Sequence, residues 1–220
     1  MNVEDIDIRK SEVLSLYFKE LYTQLTSIIN GCEWIFNEVK VPEEGDIIQV
    51  SAELQNSING VIINGANIKK LITTKPEEKT RKESSKKYLI RKQRAQFFKE
   101  LLNGIEVEEI YNIEVRNKLE HFEEYLDEIG LKLMDNLSDL NNNYYAAAYN
   151  MSFSRWETIQ PNVYPLRLYI ACEKTFYHLE WSINLEKLYQ ESKLILERMR
   201  KLGFCSDDSD GGMLIKFNNK

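Results

Sequence analysis

Only four prolines and nine glycines interrupt 220 residues, so few positions force a turn or break a helix. Three cysteines, Cys32, Cys172 and Cys205, are an odd number without CxxC spacing. That argues against a disulfide framework and a zinc site and points to ordinary thiols. The two histidines, His121 and His178, restrict any mechanism that needs a pair from one chain. No apolar run approaches the roughly 20 residues that cross a bilayer. The start MNVEDIDIRK is acidic, unlike a secretory leader. A cytoplasmic protein with no membrane partner is expected. P-loop, GxGxxG, HExxH, GxSxG and CxxC patterns are missing, so phosphate-cradling loops, zinc hydrolases and serine hydrolases are unsupported, and neither metal nor cofactor is expected.

What is present is helical periodicity. Hydrophobic residues at 43% and charged residues at 29% suit a folded chain. Leu14, Phe18, Leu21, Leu25, Ile28, Cys32 and Ile35 alternate spacings of four and three, the stripe of a core helix over residues 8–39 that stops before Val41-Pro42. Ile47, Val50, Leu54, Ile58 and Val61 mark a second helix over 46–73, in which Gly60 and Gly65 suggest close approach of a neighbour. A third covers 86–103 with Gly104 as its stop signal, and a fourth 107–134. Residues 135–162, rich in Asn and aromatics, have no clean period. Tyr164, Leu166, Leu168 and Ile170 alternate with Val163, Arg167 and Tyr169 before the short polar turn Cys172-Glu173-Lys174, the aromatic and β-branched pattern of a β-hairpin continuing through 176–181. A last helix runs from about 185 to Gly203. The expected fold is mainly α: an antiparallel bundle of four or more helices over 1–140, a segment 141–204 comprising irregular chain, hairpin and C-terminal helix packed on it, and a flexible tail over 205–220.

Charge is uneven. Between residues 75 and 94 stand nine basic residues against three acidic ones, a local +6 within a chain whose formal total is −6. Such a run either tracks phosphates or forms a solvated connection between helices. Lys86, Lys87, Arg91, Lys92 and Arg94 are the candidate RNA contacts. In the fourth helix Leu119, Phe122, Leu126, Ile129 and Leu133 fall within an arc of about 80°, while Asn117 and His121 lie opposite with Ile110 and Ile113. A helix apolar on both sides is normally covered on both, by its own chain or by a second copy. His178, between Tyr177 and Leu179, reads as structural or surface.

The sequence Arg116-Asn117-Lys118-Leu119-Glu120-His121, late in a series of helices, resembles the motif of the HEPN superfamily: an arginine, a polar residue and, after a short gap, a histidine. The resemblance implies a homodimer whose motif helices face each other, and a metal-independent endoribonuclease of toxin or phage-defence type, with an antitoxin or other protein partner possible. DNA is not an expected ligand. In that role His121 would move protons and Arg116 would stabilise the charge on phosphorus, with Asn117 orienting the phosphate. The alternative within the resemblance is a non-catalytic dimeric module that binds nucleotide, RNA or a protein. The alternative outside it is plain ion pairing of Arg116 and His121 with Glu120 and Glu124.

Overall fold

A computed structural model describes residues 7–10, 12–74, 76–134, 144, 146–158 and 163–206. Lys75, most of residues 135–145, and the expected tail from 207 onward lie outside the described residues, as does the side chain of Leu133. After a 3-10 turn at Ile8–Lys10 come α1 (Glu12–Glu38), β1 (Ile48–Gln49), α2 (Ala52–Ile72), α3 (Ser85–Leu101), α4 (Glu114–Glu120) and α5 (Phe122–Met134). Then follow β2 (Ala146–Phe153), a 3-10 turn at Trp156–Thr158, β3 (Val163–Ile170), β4 (Thr175–His178), β5 (Trp181–Asn184) and α6 (Leu185–Lys201).

The stripe read in the first helix is its buried face: Phe18, Leu21, Leu25, Ile28, Cys32 and Ile35 are all buried. It packs between α2 and α6. The close approach occurs at a glycine the sequence reading passed over. A Cβ on Gly31 would sit 2.6 Å from Val61 Cγ2, whereas Gly60 has nothing within 4 Å and Gly65 meets only Leu188. Helix starts are capped by side chains: Ser51 accepts from Leu54 N, Ser84 from Lys87 N and Asn184 from Lys187 N. Gly104 and Gly203 take positive φ after α3 and α6, as C-terminal stops require.

The mainly helical expectation is overturned by a five-stranded mixed sheet in the order β1-β2-β3-β4-β5, which makes the architecture α+β. The expected hairpin exists as β3 and β4, antiparallel, but β2 runs parallel to β3 on its other side, and β1 and β5 extend the two edges. One face of the sheet joins the helical core through Tyr169, Phe176 and Ile183. The other holds a second cluster of Ala148, Phe153, Val163, Leu168 and Ile170. The sequence hid β2 because its side chains change faces midway. Asn150 and Arg167, opposite each other in register, both adopt left-handed φ, 53° and 63°. Ala146 and Ala148 before the change, and Met151 and Phe153 after it, reach the same cluster. On β3, likewise, Leu166 faces a cluster with Ile129 while Leu168 and Ile170 face the other side, so the expected single row of 164, 166, 168 and 170 is split.

The expected unbroken helix over 107–134 is also corrected. Its first part is a turn. His121 then leaves helical geometry, with φ −107° and ψ 33°, and separates α4 from α5. The break ends the phase of the predicted core stripe: Leu119 packs on the core and Ile129 is buried, but Phe122 and Leu126 are exposed.

Candidate anion-binding pocket

Short helices need anchors, and α4 has three. The buried carboxylate of Glu191 on α6 accepts the backbone N–H groups of Glu108 at 2.6 Å, Glu109 at 2.9 Å and Ile110 at 3.0 Å, which fixes the turn entering α4. The Asn112 amide donates to Ser182 O of β5 at 2.9 Å. The Lys118 ammonium lies 4.2 Å from the Trp181 ring centre and 4.6 Å from that of Tyr125, whose hydroxyl it also hydrogen-bonds. That contact raises the Lys118 pKa. With Val115 in the core and Lys118 clamped to the sheet, Arg116 and Asn117 turn toward α2 and α3.

There they line a pocket of about 240 Å³ together with Lys69, Lys70 and Thr73 from the end of α2, Arg94 from α3, and the apolar Ala66 and Ile113. Four cationic side chains and no carboxylate line it. The Arg94 guanidinium donates to Lys70 O at 3.2 Å and Thr73 O at 3.0 Å, closing the last turn of α2, and burial pulls its pKa down. Lys69 Nζ donates to Tyr111 O at 2.6 Å. Arg116 is paired with Glu120 one turn on, and its Nη1 donates to Asn117 Oδ1 at 3.4 Å. The Nε atoms of both Arg94 and Arg116 are buried with no hydrogen-bond partner among the described residues. Glu120 is the counter-charge of Arg116, whereas Arg94 is held by backbone carbonyls and by Tyr17, whose ring centre lies 5.6 Å away, with no carboxylate of the described residues against it. An anion entering here would meet donors on two sides.

No family model, no curated protein and no solved structure matches this chain. The site therefore rests on its own geometry.

That geometry divides the motif. Arg116 and Asn117 belong to the pocket, whereas His121 does not line it. The His121 side chain is 62% exposed at the α4–α5 break, with Nδ1 4.0 Å from the Glu124 carboxylate. Of the two ion pairs of the plainest reading, Arg116 with Glu120 is present, and His121 stands at 4.0 Å from Glu124 with both side chains largely exposed. The basic run is divided too. Arg94 lines the pocket, while Arg91 is engaged with the Glu83 carboxylate at 2.9 Å and with the carbonyls of Pro76 and Glu78. That pairing holds Glu83 below the ordinary carboxylate range. Lys86, Lys87 and Lys92 are exposed on α3, and Lys92 borders a different, larger groove. Lys69 and Lys70 were missed because they precede the conspicuous charge run. Their signal was a pair of lysines in the last turn of a helix, a position that the helix dipole alone explains.

Proposed function

We propose that this protein is a binding module for a phosphorylated ligand, held by Arg116, Asn117, Lys69, Lys70 and Arg94, rather than an enzyme complete in one chain. The observation that carries this reading is the convergence of four cations from three helices on one small cavity without a carboxylate in its lining. A phosphate dianion there would satisfy the arginines through charge-assisted hydrogen bonds. It would displace Glu120 from Arg116, the one contact in which the site supplies its own anion.

Ligand-induced stabilisation tests it, because whatever binds only the folded state raises Tm. Inorganic phosphate or pyrophosphate at millimolar concentration is expected to raise the wild-type Tm at constant ionic strength, and Arg116→Ala or Lys70→Ala is expected to abolish the shift. A wild-type Tm that does not respond, or a shift retained by both variants, counts against the pocket.

A second reading is the dimeric, metal-independent endoribonuclease suggested by the HEPN-like motif. The observation favouring it is the exposure of His121 next to the half-exposed apolar side chains Phe122 and Leu126 of α5, where a second copy could bring its own Arg116 to complete the pair. Incubation of RNA with the protein in EDTA decides this: cleavage lost in His121→Ala supports it, and no cleavage, or cleavage unchanged by the substitution, sinks it.

A further inference from the structure

Resting on the phosphate-pocket reading, we infer that the groove adjoining that pocket is a subsite for a planar heterocycle, so that the ligand is a nucleoside phosphate with its base against Tyr111. The groove, about 810 Å³, lies between the Ile8–Lys10 turn, the end of α2 and α3. Its size is within the range of small-molecule clefts. Two contacts join it to the basic pocket. Thr73 lines both. Lys69, in the pocket, holds the backbone carbonyl of Tyr111, and Tyr111 lines the groove. Phosphate and base subsites are thus contiguous, with Thr73 in the wall of both.

The lining distinguishes a base from other attachments to a phosphate. Tyr111 is 41% exposed and follows a turn locked by the three N–H contacts to Glu191, so its ring, with Lys69 Nζ 6.0 Å from its centre, offers a fixed stacking surface. Ile72 and Leu89 supply an apolar wall, and the exposed Gln96, whose Nε2 donates to Glu100 Oε1 at 3.1 Å, keeps its amide oxygen as an acceptor suited to a base edge, while the Gln93 amide is engaged by Ile8 N at 3.1 Å. A bare sugar phosphate would leave the ring and the apolar wall unused. A lipid tail would find the amides in its path. The charged lining is close to balance, with Lys92 and Lys99 against Asp7 and Glu77 and with Arg9 paired to Glu100 at 2.7 Å, so the charge that holds the ligand is that of the basic pocket.

Titration calorimetry of the full chain with AMP, ribose 5-phosphate and inorganic phosphate tests the inference separately from the reading beneath it. AMP is expected to bind at least tenfold more tightly than ribose 5-phosphate. Tyr111→Ala is expected to weaken AMP about tenfold, the lower part of the range for one base on one ring, and to leave ribose 5-phosphate unchanged. Gln96→Ala, at an exposed α3 position, provides a variant with little bearing on folding and is expected to narrow the preference for AMP several-fold. Equal affinities for AMP and ribose 5-phosphate, or an equal loss of both in Tyr111→Ala, overturn the base subsite while the phosphate pocket stands. Failure of all three ligands to bind overturns both.

Discussion

Glu191 shows how a single buried side chain places the candidate site. It is 8% exposed on α6, more than 70 residues in sequence from the turn it holds, and its two oxygens take three backbone donors. Hydrogen bonds to a charged acceptor contribute about 1.5–3 kcal/mol each, and donors left buried without a partner cost a comparable amount. Glu191→Ala is therefore expected to lower unfolding free energy by about 3 kcal/mol or more, and Glu191→Gln, which keeps one acceptor oxygen, by roughly half of that. Urea denaturation at neutral pH measures both, and a loss under about 1 kcal/mol for the alanine variant would mean that water replaces the carboxylate. No local pattern marks Glu191, because its neighbours read simply as an amphipathic helix. Arg116 and Asn117 were legible because they form a motif. Lys69, Lys70 and Arg94 join them only through the packing of α2 and α3 against α4, a three-dimensional coincidence that spacing along the chain cannot encode.

At the scale of elements, legibility followed periodicity. The long helices α1, α2 and α6 keep one face buried over several turns, so their stripes survive in the sequence, whereas α3 buries only Phe98 and Leu101 near its end. Strand β2 keeps its period for only a few residues on either side of Asn150, and β1 is two residues long. The matched left-handed pair explains this, since rotating both strands together preserves their register while exchanging the faces of every later side chain. Asparagine reaches left-handed φ at little cost, glycine at none, and a β-branched residue at roughly 1–2 kcal/mol. Asn150→Gly is expected to be nearly neutral. Asn150→Val is expected to destabilise by about 2 kcal/mol, because the residue must either carry the strain or restore alternation and turn Met151 and Phe153 away from their cluster. Thermal unfolding of the two variants separates these outcomes, and equal Tm values would remove the role assigned to the pair.

Across the whole molecule, the histidine read as structural sets an acid limit on stability. His178 ends β4 beneath α5, 5% exposed, in a cleft it shares with Tyr125, Leu126, Ile129 and Arg167. Burial, reinforced by the Arg167 guanidinium, pushes its pKa down from 6.5 to about 4, with the Lys118 backbone acting weakly in the opposite sense. Above pH 6.5 the ring is neutral in folded and unfolded chains alike and stability is unaffected. Between pH 6.5 and 4 the unfolded chain takes up the proton and the folded chain does not, so stability falls with pH, by about 3 kcal/mol at most, and levels off below 4. The paired carboxylates of Glu83 and Glu186, held low by Arg91 and Lys174, lose their contribution in a separate window, below the ordinary carboxylate pKa of 4.5. Glu109, raised by burial, works against the trend because its folded form binds the proton first. A variant comparison isolates the histidine. His178→Leu keeps an apolar side chain under α5 and is expected to flatten the dependence of unfolding free energy on pH between 6.5 and 5 while leaving the fall below 4.5 in place. A slope identical to wild type in that upper window would assign the acid sensitivity to another group and free the α5 contact from any role in it.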